Sequence, residues 1–144
     1  MGFDVYTEPM SGYTAVLNTV QNLTIENVYI GVMKNGNLLS MVMAVNLTKT
    51  GNLSSSQQRI GTINVPGNIA AKLHPTYVGQ YQFLDNQKIN AWRTYSASVP
   101  CNCFIEKNGT DINFFNNSFD DLSVNEKYYL RYEVNFLLSD PLIN

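Results

Sequence analysis

Two Asn-Gly pairs, each set between β-forming residues, constrain this chain more than any other feature. The first lies within Val28–Leu47, which runs Val-Tyr-Ile-Gly-Val-Met-Lys-Asn-Gly-Asn-Leu-Leu-Ser-Met-Val-Met-Ala-Val-Asn-Leu. Asn35 and Gly36 both tolerate the positive φ of a type I′ turn, so the pattern predicts a tight hairpin. With those two residues as the loop, Lys34 faces Asn37, Val32 faces Leu39, Ile30 faces Met41 and Val28 faces Met43. The apolar pairs then share one face, as a half-buried antiparallel ribbon requires. The other face carries Tyr29, Met33, Leu38 and Val42 among Gly31, Ser40 and Ala44. It is apolar enough to expect a cover, such as a partner subunit.

The second pair, Asn108-Gly109, predicts a hairpin over Cys101–Asn116. The same loop rule sets Ile105 against Ile112, Cys103 against Phe114, and Glu106 against Asp111. The last pair is unfavourable for like charges, unless both carboxylates splay into water or share a cation. Ser123-Val124-Asn125-Glu126 matches a helix capping box. Against a helix, Tyr128, Leu130, Tyr132, Val134, Phe136 and Leu138 alternate without a break, while Tyr129, Arg131, Glu133 and Asn135 fill the opposite face. Such alternation of β-formers predicts a long, central closing strand. Further strands are expected over Tyr13–Val20, Gln58–Val65, Thr76–Phe83 and Ile89–Ser98. Polar Gln21–Asn27 and Thr48–Gln57 serve as connections, and Asn68–Pro75 is irregular. Seven or eight short strands without a convincing helix describe an all-β antiparallel β-sandwich or jelly-roll.

Composition limits what such a sandwich does. At 144 residues one domain is expected. Residues 1–12 form a lead-in or attachment segment and residues 13–144 the β-sandwich. The chain is 44% hydrophobic, 12% aromatic and only 14% charged, which argues against disorder. A net charge of −2 gives no basic footprint for nucleic acid. No apolar run approaches the ~20 residues of a membrane-spanning helix. Met1–Tyr6 lacks the basic-then-apolar build of a signal peptide, so exit by cell lysis is the expected route. For the same reason the Asn-x-Ser/Thr sequons at Asn22, Asn46, Asn52, Asn108 and Asn116 are expected to be unused. Cys101 and Cys103 on one strand face lie about 7 Å apart, too far and too parallel for an easy disulfide. They are expected as small buried hydrophobes, not metal ligands.

Signals for catalysis are weak. There is no Gly-x-Ser-x-Gly elbow and no phosphate-cradling glycine loop. The single histidine, His74, stands before Pro75, and Asp120-Asp121 is a carboxylate pair in turn chemistry. No catalytic residue, metal or cofactor is assigned. A binding surface remains. Sugar sites combine an aromatic ring with carboxylate, amide and guanidinium groups. His74–Tyr95 concentrates these types, and the candidate ligand-binding residues are Trp92, Asp85, Arg93, His74, Tyr95 and Asn86. Tyr77 and Tyr81 are better placed in core or subunit packing, and Trp92 divides between packing and ligand contact.

The order of these pieces resembles a known family. Met33–Leu47 forms a Lys-Asn-Gly hairpin and strand, and Ile60-Gly61-Thr62-Ile63 follows. After an aromatic-rich middle come Phe104-Ile105-Glu106-Lys107-Asn108-Gly109-Thr110-Asp111-Ile112 and the closing strand. Over Val28–Leu138 this is similar to the C-terminal receptor-binding head domains of bacteriophage tail-fibre and baseplate proteins. The chain departs from them at Asn64-Val65-Pro66-Gly67-Asn68, which lacks the family's Arg-Pro. The resemblance implies a homotrimer of β-sandwich heads on the virion, at the tail tip or particle surface. It also implies binding of host cell-surface polysaccharide without cleavage, contacts with other tail or capsid proteins, and no partnership with nucleic acid or membrane. The alternative is a structural virion protein (capsid fibre, decoration or tail-assembly component) with no sugar ligand.

Overall fold

A computed structural model describes residues 11–73, 76–78, 81–83, 87–93, 103–117 and 119–138; at 35, 76–78, 81–83, 87–93 and 137 it describes the backbone alone. The strands are β1 (Thr14–Leu17), β2 (Leu23–Asn35), β3 (Leu38–Lys49), β4 (Gln58–Asn64), β5 (Thr76–Val78), β6 (Tyr81–Phe83), β7 (Gln87–Arg93), β8 (Cys103–Asn108), β9 (Asp111–Asn116) and β10 (Lys127–Leu137). They form a six-stranded sheet, β1-β4-β9-β8-β6-β5, and a four-stranded sheet, β2-β3-β10-β7. All pairings are antiparallel. The chain is thus an all-β sandwich, as the alternation predicts.

Both hairpins form, but each register is displaced by two from the expected one. In the first, Asn35 pairs with Leu38, Val32 with Met41 and Ile30 with Met43, so Gly36-Asn37 is the loop. Gly36 takes φ +60° at the first loop position. Glycine there is what a II′ turn demands, whereas the I′ expectation placed Asn35 in the loop. The second hairpin repeats the shift: Asn108 pairs with Asp111 around Gly109-Thr110, with Gly109 at φ +62°. Glu106 therefore opposes Asn113, not Asp111, and Asn113 Nδ2 donates to Glu106 Oε1 at 3.2 Å. The expected clash of carboxylates is replaced by a hydrogen bond. Asp111 instead accepts from Asn64 Nδ2 at 2.8 Å.

Other expectations shift at their edges. The first hairpin begins at Leu23, so the polar stretch expected as a connection is already strand. A bulge at Val28 leaves that residue 41% exposed rather than paired with Met43. Thr76–Phe83 is not one strand but two short ones, with Val78 opposite Tyr81. Within the irregular connection after β4, Pro66 opens one helical turn, α1 (Gly67–Ala70), as its fixed φ allows. The capping box starts no helix: Asn125 adopts φ +66° in a turn, and β10 follows.

The core lies between the sheets. Leu39, Met41, Met43, Val45 and Leu47 of β3 and Tyr128, Leu130, Tyr132, Val134 and Phe136 of β10 meet Ile60, Ile63, Ile105, Ile112 and Phe114. The Phe114 and Tyr132 rings meet edge-on, 5.5 Å apart. Buried tyrosines need partners for their hydroxyls. Tyr132 donates to the Phe115 carbonyl at 3.1 Å, and Tyr128 accepts from the Ser123 amide at 2.8 Å. Lys49, buried at the end of β3, donates from Nζ to the carbonyls of Phe119 and Leu122 at 2.8 and 3.3 Å. It thereby pins the 3-10 turn Phe119–Asp121 that precedes β10.

Candidate functional site

β10 is flanked by β3 and β7, so its outward side chains sit in mid-sheet. Even-numbered residues of β10 enter the core, which turns Tyr129, Arg131, Glu133 and Asn135 outward. The ladders arrange this outer face in rows across the strands. One row runs Glu26–Asn46–Tyr129–Trp92, the next Tyr29–Ala44–Arg131–Asn90, and the third Gly31–Val42–Glu133–Lys88. Met33, Ser40 and Asn135 make a fourth.

Side chains on this face are tied together. Arg131 Nε donates to Glu133 Oε2 at 3.1 Å, and the two side chains are 33% and 29% exposed. Burial pulls the Arg131 pKa down. Hydrogen bonds with the Tyr129 and Glu133 side chains and the Glu133 charge outweigh that, leaving it above the ordinary arginine value. Ser40 Oγ donates to Asn135 Oδ1 at 2.6 Å. Lys127 and Glu26 meet at 3.8 Å near water.

The hairpin end of the same face is apolar. Tyr29 folds its ring over Gly31; a Cβ there would stand 2.7 Å from the Tyr29 hydroxyl. Tyr29 thus supplies part of the expected cover, and Ala44 beside it is fully buried. Met33 and Leu38 remain 55% and 45% exposed.

The outer face of the six-stranded sheet differs. Thr62 Oγ1 donates to Asn113 Oδ1 at 2.7 Å, continuing the link to Glu106. Beside this row the Phe104 and Phe115 rings stack 4.8 Å apart. Here the polar groups mostly satisfy one another across β4, β9 and β8.

Of the candidate residues named from sequence, Trp92 and Arg93 lie on β7, opposite Tyr129 and Tyr128. His74, Asp85, Asn86 and Tyr95 lie outside the described residues. Sequence reasoning missed Tyr129, Arg131, Glu133 and Asn135. Their signal was present: a long central strand whose second face carries a ring, two opposite charges and an amide. Among the described residues, no group of three or more His, Cys, Asp or Glu is placed to hold a metal ion. Cys103 is half-buried with its Sγ 3.6 Å from the Tyr132 hydroxyl, and Cys101 lies outside the described residues. No described helix is long and apolar enough to cross a membrane.

No family model matches the chain, and no curated protein matches it. Among solved structures it is similar to the bovine atadenovirus type 4 fibre head protein, at 7% identity and a TM-score of 0.45, over 88% of this chain and 99% of that one.

Proposed function

We propose that this chain is a virion receptor-binding module that recognises host cell-surface saccharide without cleaving it. The observation that supports the reading is the row of groups on the outer face of β10. A ring, a guanidinium, a carboxylate and an amide follow one another at Tyr129, Arg131, Glu133 and Asn135, on a strand held from both sides. These are the group types that sugar hydroxyls and C–H faces require. The register brings Trp92, a candidate from sequence, into the Tyr129 row. The resemblance of the sequence over Val28–Leu138 to phage tail-fibre head domains implies the virion setting and the homotrimer. The exposed Met33 and Leu38 suit burial against sister subunits at the hairpin end. Three copies would then add avidity to weak single sites.

The test is binding of the purified chain to a broad glycan array and to bacterial cell walls, with its solution mass measured in parallel. Saccharide binding that falls about tenfold in Tyr129→Ala and Trp92→Ala, with assembly unchanged, supports the reading. A chain that binds no glycan and no cell wall is better read as a structural virion component, for which the same apolar hairpin end would be a docking surface.

A further inference from the structure

We infer that the saccharide bound at the β10 face is uncharged, and that two neighbouring hydroxyls of it sit between Arg131 and Glu133. This inference rests on the proposed saccharide-binding role and narrows its ligand class. A vicinal diol offers hydroxyls that each donate and accept. Arg131 supplies only donors and Glu133 only acceptors, and their contact at 3.1 Å fixes the two groups side by side. Nε is spent on Glu133 and the guanidinium also hydrogen-bonds the Tyr129 side chain, so the terminal amino groups keep part of their N–H donors for a ligand. Glu133 Oε1 has no partner among the described residues. At about a third exposed, both groups are open to a ligand, and their mutual contact limits the ordering needed on binding.

Charge argues for a neutral ligand. An acidic polymer is drawn by uncompensated positive charge. Here Glu133 compensates Arg131, and Glu26 compensates Lys127. The whole chain carries −2. A neutral sugar meets no such demand, because its hydroxyls use the donor and the acceptor together.

The experiment coats surfaces with neutral polymers (glucan, galactan, mannan) and acidic ones (polygalacturonate, a glycerol-phosphate polymer). Binding of the wild type, Arg131→Met and Glu133→Gln is measured at about 50 and 300 mM salt. The expected result is binding to a neutral polymer, nearly independent of salt, that weakens about tenfold or more in both variants. Binding confined to acidic polymers, lost in high salt and strengthened in Glu133→Gln, overturns the inference while leaving the face a saccharide site. Neutral binding untouched by either variant overturns the assignment to this pair. Failure to bind any polymer on this panel or on the broad array overturns the saccharide reading itself. Circular dichroism of both variants confirms that the sandwich is intact.

Discussion

Gly61 is the position where one added methyl group should cost most for its size. It sits on β4 opposite Leu17 of β1 and Phe114 of β9, next to the irregularity between Arg59 and Gly61. A Cβ there would lie 2.7 Å from the Val16 carbonyl oxygen, 2.8 Å from Met43 Sδ and 2.9 Å from Met43 Cε. Close C–H···O contacts run at about 3.3–3.6 Å, so something must retreat by ~0.6 Å or more. The methionine end can swing away at modest cost. The carbonyl cannot, because β1 is held on β4 by its ladder and by the Asn18 amide donating to the Ile60 carbonyl at 2.8 Å. Overpacking of this kind costs about 1–3 kcal/mol. For a chain this long that lowers Tm by roughly 3–10 °C. Chemical denaturation of Gly61→Ala measures the cost, and amide exchange locates it. If the backbone wall is decisive, β1 amides and Asn18 should exchange about tenfold faster or more, while β3 and β10 follow only the global change. A variant within about 0.3 kcal/mol of wild type, or one loosened first around Met43 with β1 unchanged, refutes the reasoning.

Tyr13 should prefer to be phenylalanine: its buried hydroxyl has no partner among the described residues, and Tyr13→Phe is expected to stabilise by about 1 kcal/mol in denaturant unfolding. Burial raises its phenol pKa above 10.0, so this group's contribution is complete below the unfolded value and is lost as pH rises through the folded one. The advantage of Tyr13→Phe should therefore widen in alkaline titrations. Lys49→Met should cost about 2 kcal/mol, since the Phe119 and Leu122 carbonyls lose their donor, and exchange should quicken first in the turn before β10.

The two hairpins show why the fold was legible and its details were not. A strand repeats its facing every second residue, so a register slipped by two keeps every side chain on its face. Val32 and Ile30 are in the core, as expected, although each has a different partner from the one anticipated. Which residue of an Asn-Gly pair enters the loop depends on turn geometry that composition alone leaves open. The relief of Glu106 from Asp111 is visible only once Asn113 is set opposite it. The site was harder. Its residues alternate plainly along β10, yet the rows that join them to Ala44, Trp92 and Lys88 come from pairings between distant parts of the chain. Local patterns cannot encode those. The richness of His74–Tyr95 in rings and amides drew attention to residues that fall mostly outside the described structure.

The ladder between β3 and β10, from Lys127 opposite Thr48 to Leu137 opposite Leu38, carries a cost during synthesis. The first hairpin leaves the ribosome early, with the inner edge of β3 bare and its methionines uncovered. Six strands and α1 must follow before the mate of that edge emerges. During this interval the hairpin is a sticky half-sheet, open to pairing with a neighbouring nascent chain. Yield in the cell should therefore depend on how fast translation reaches residue 127, and slowing the ribosome ahead of β10 should favour inclusion bodies over soluble product.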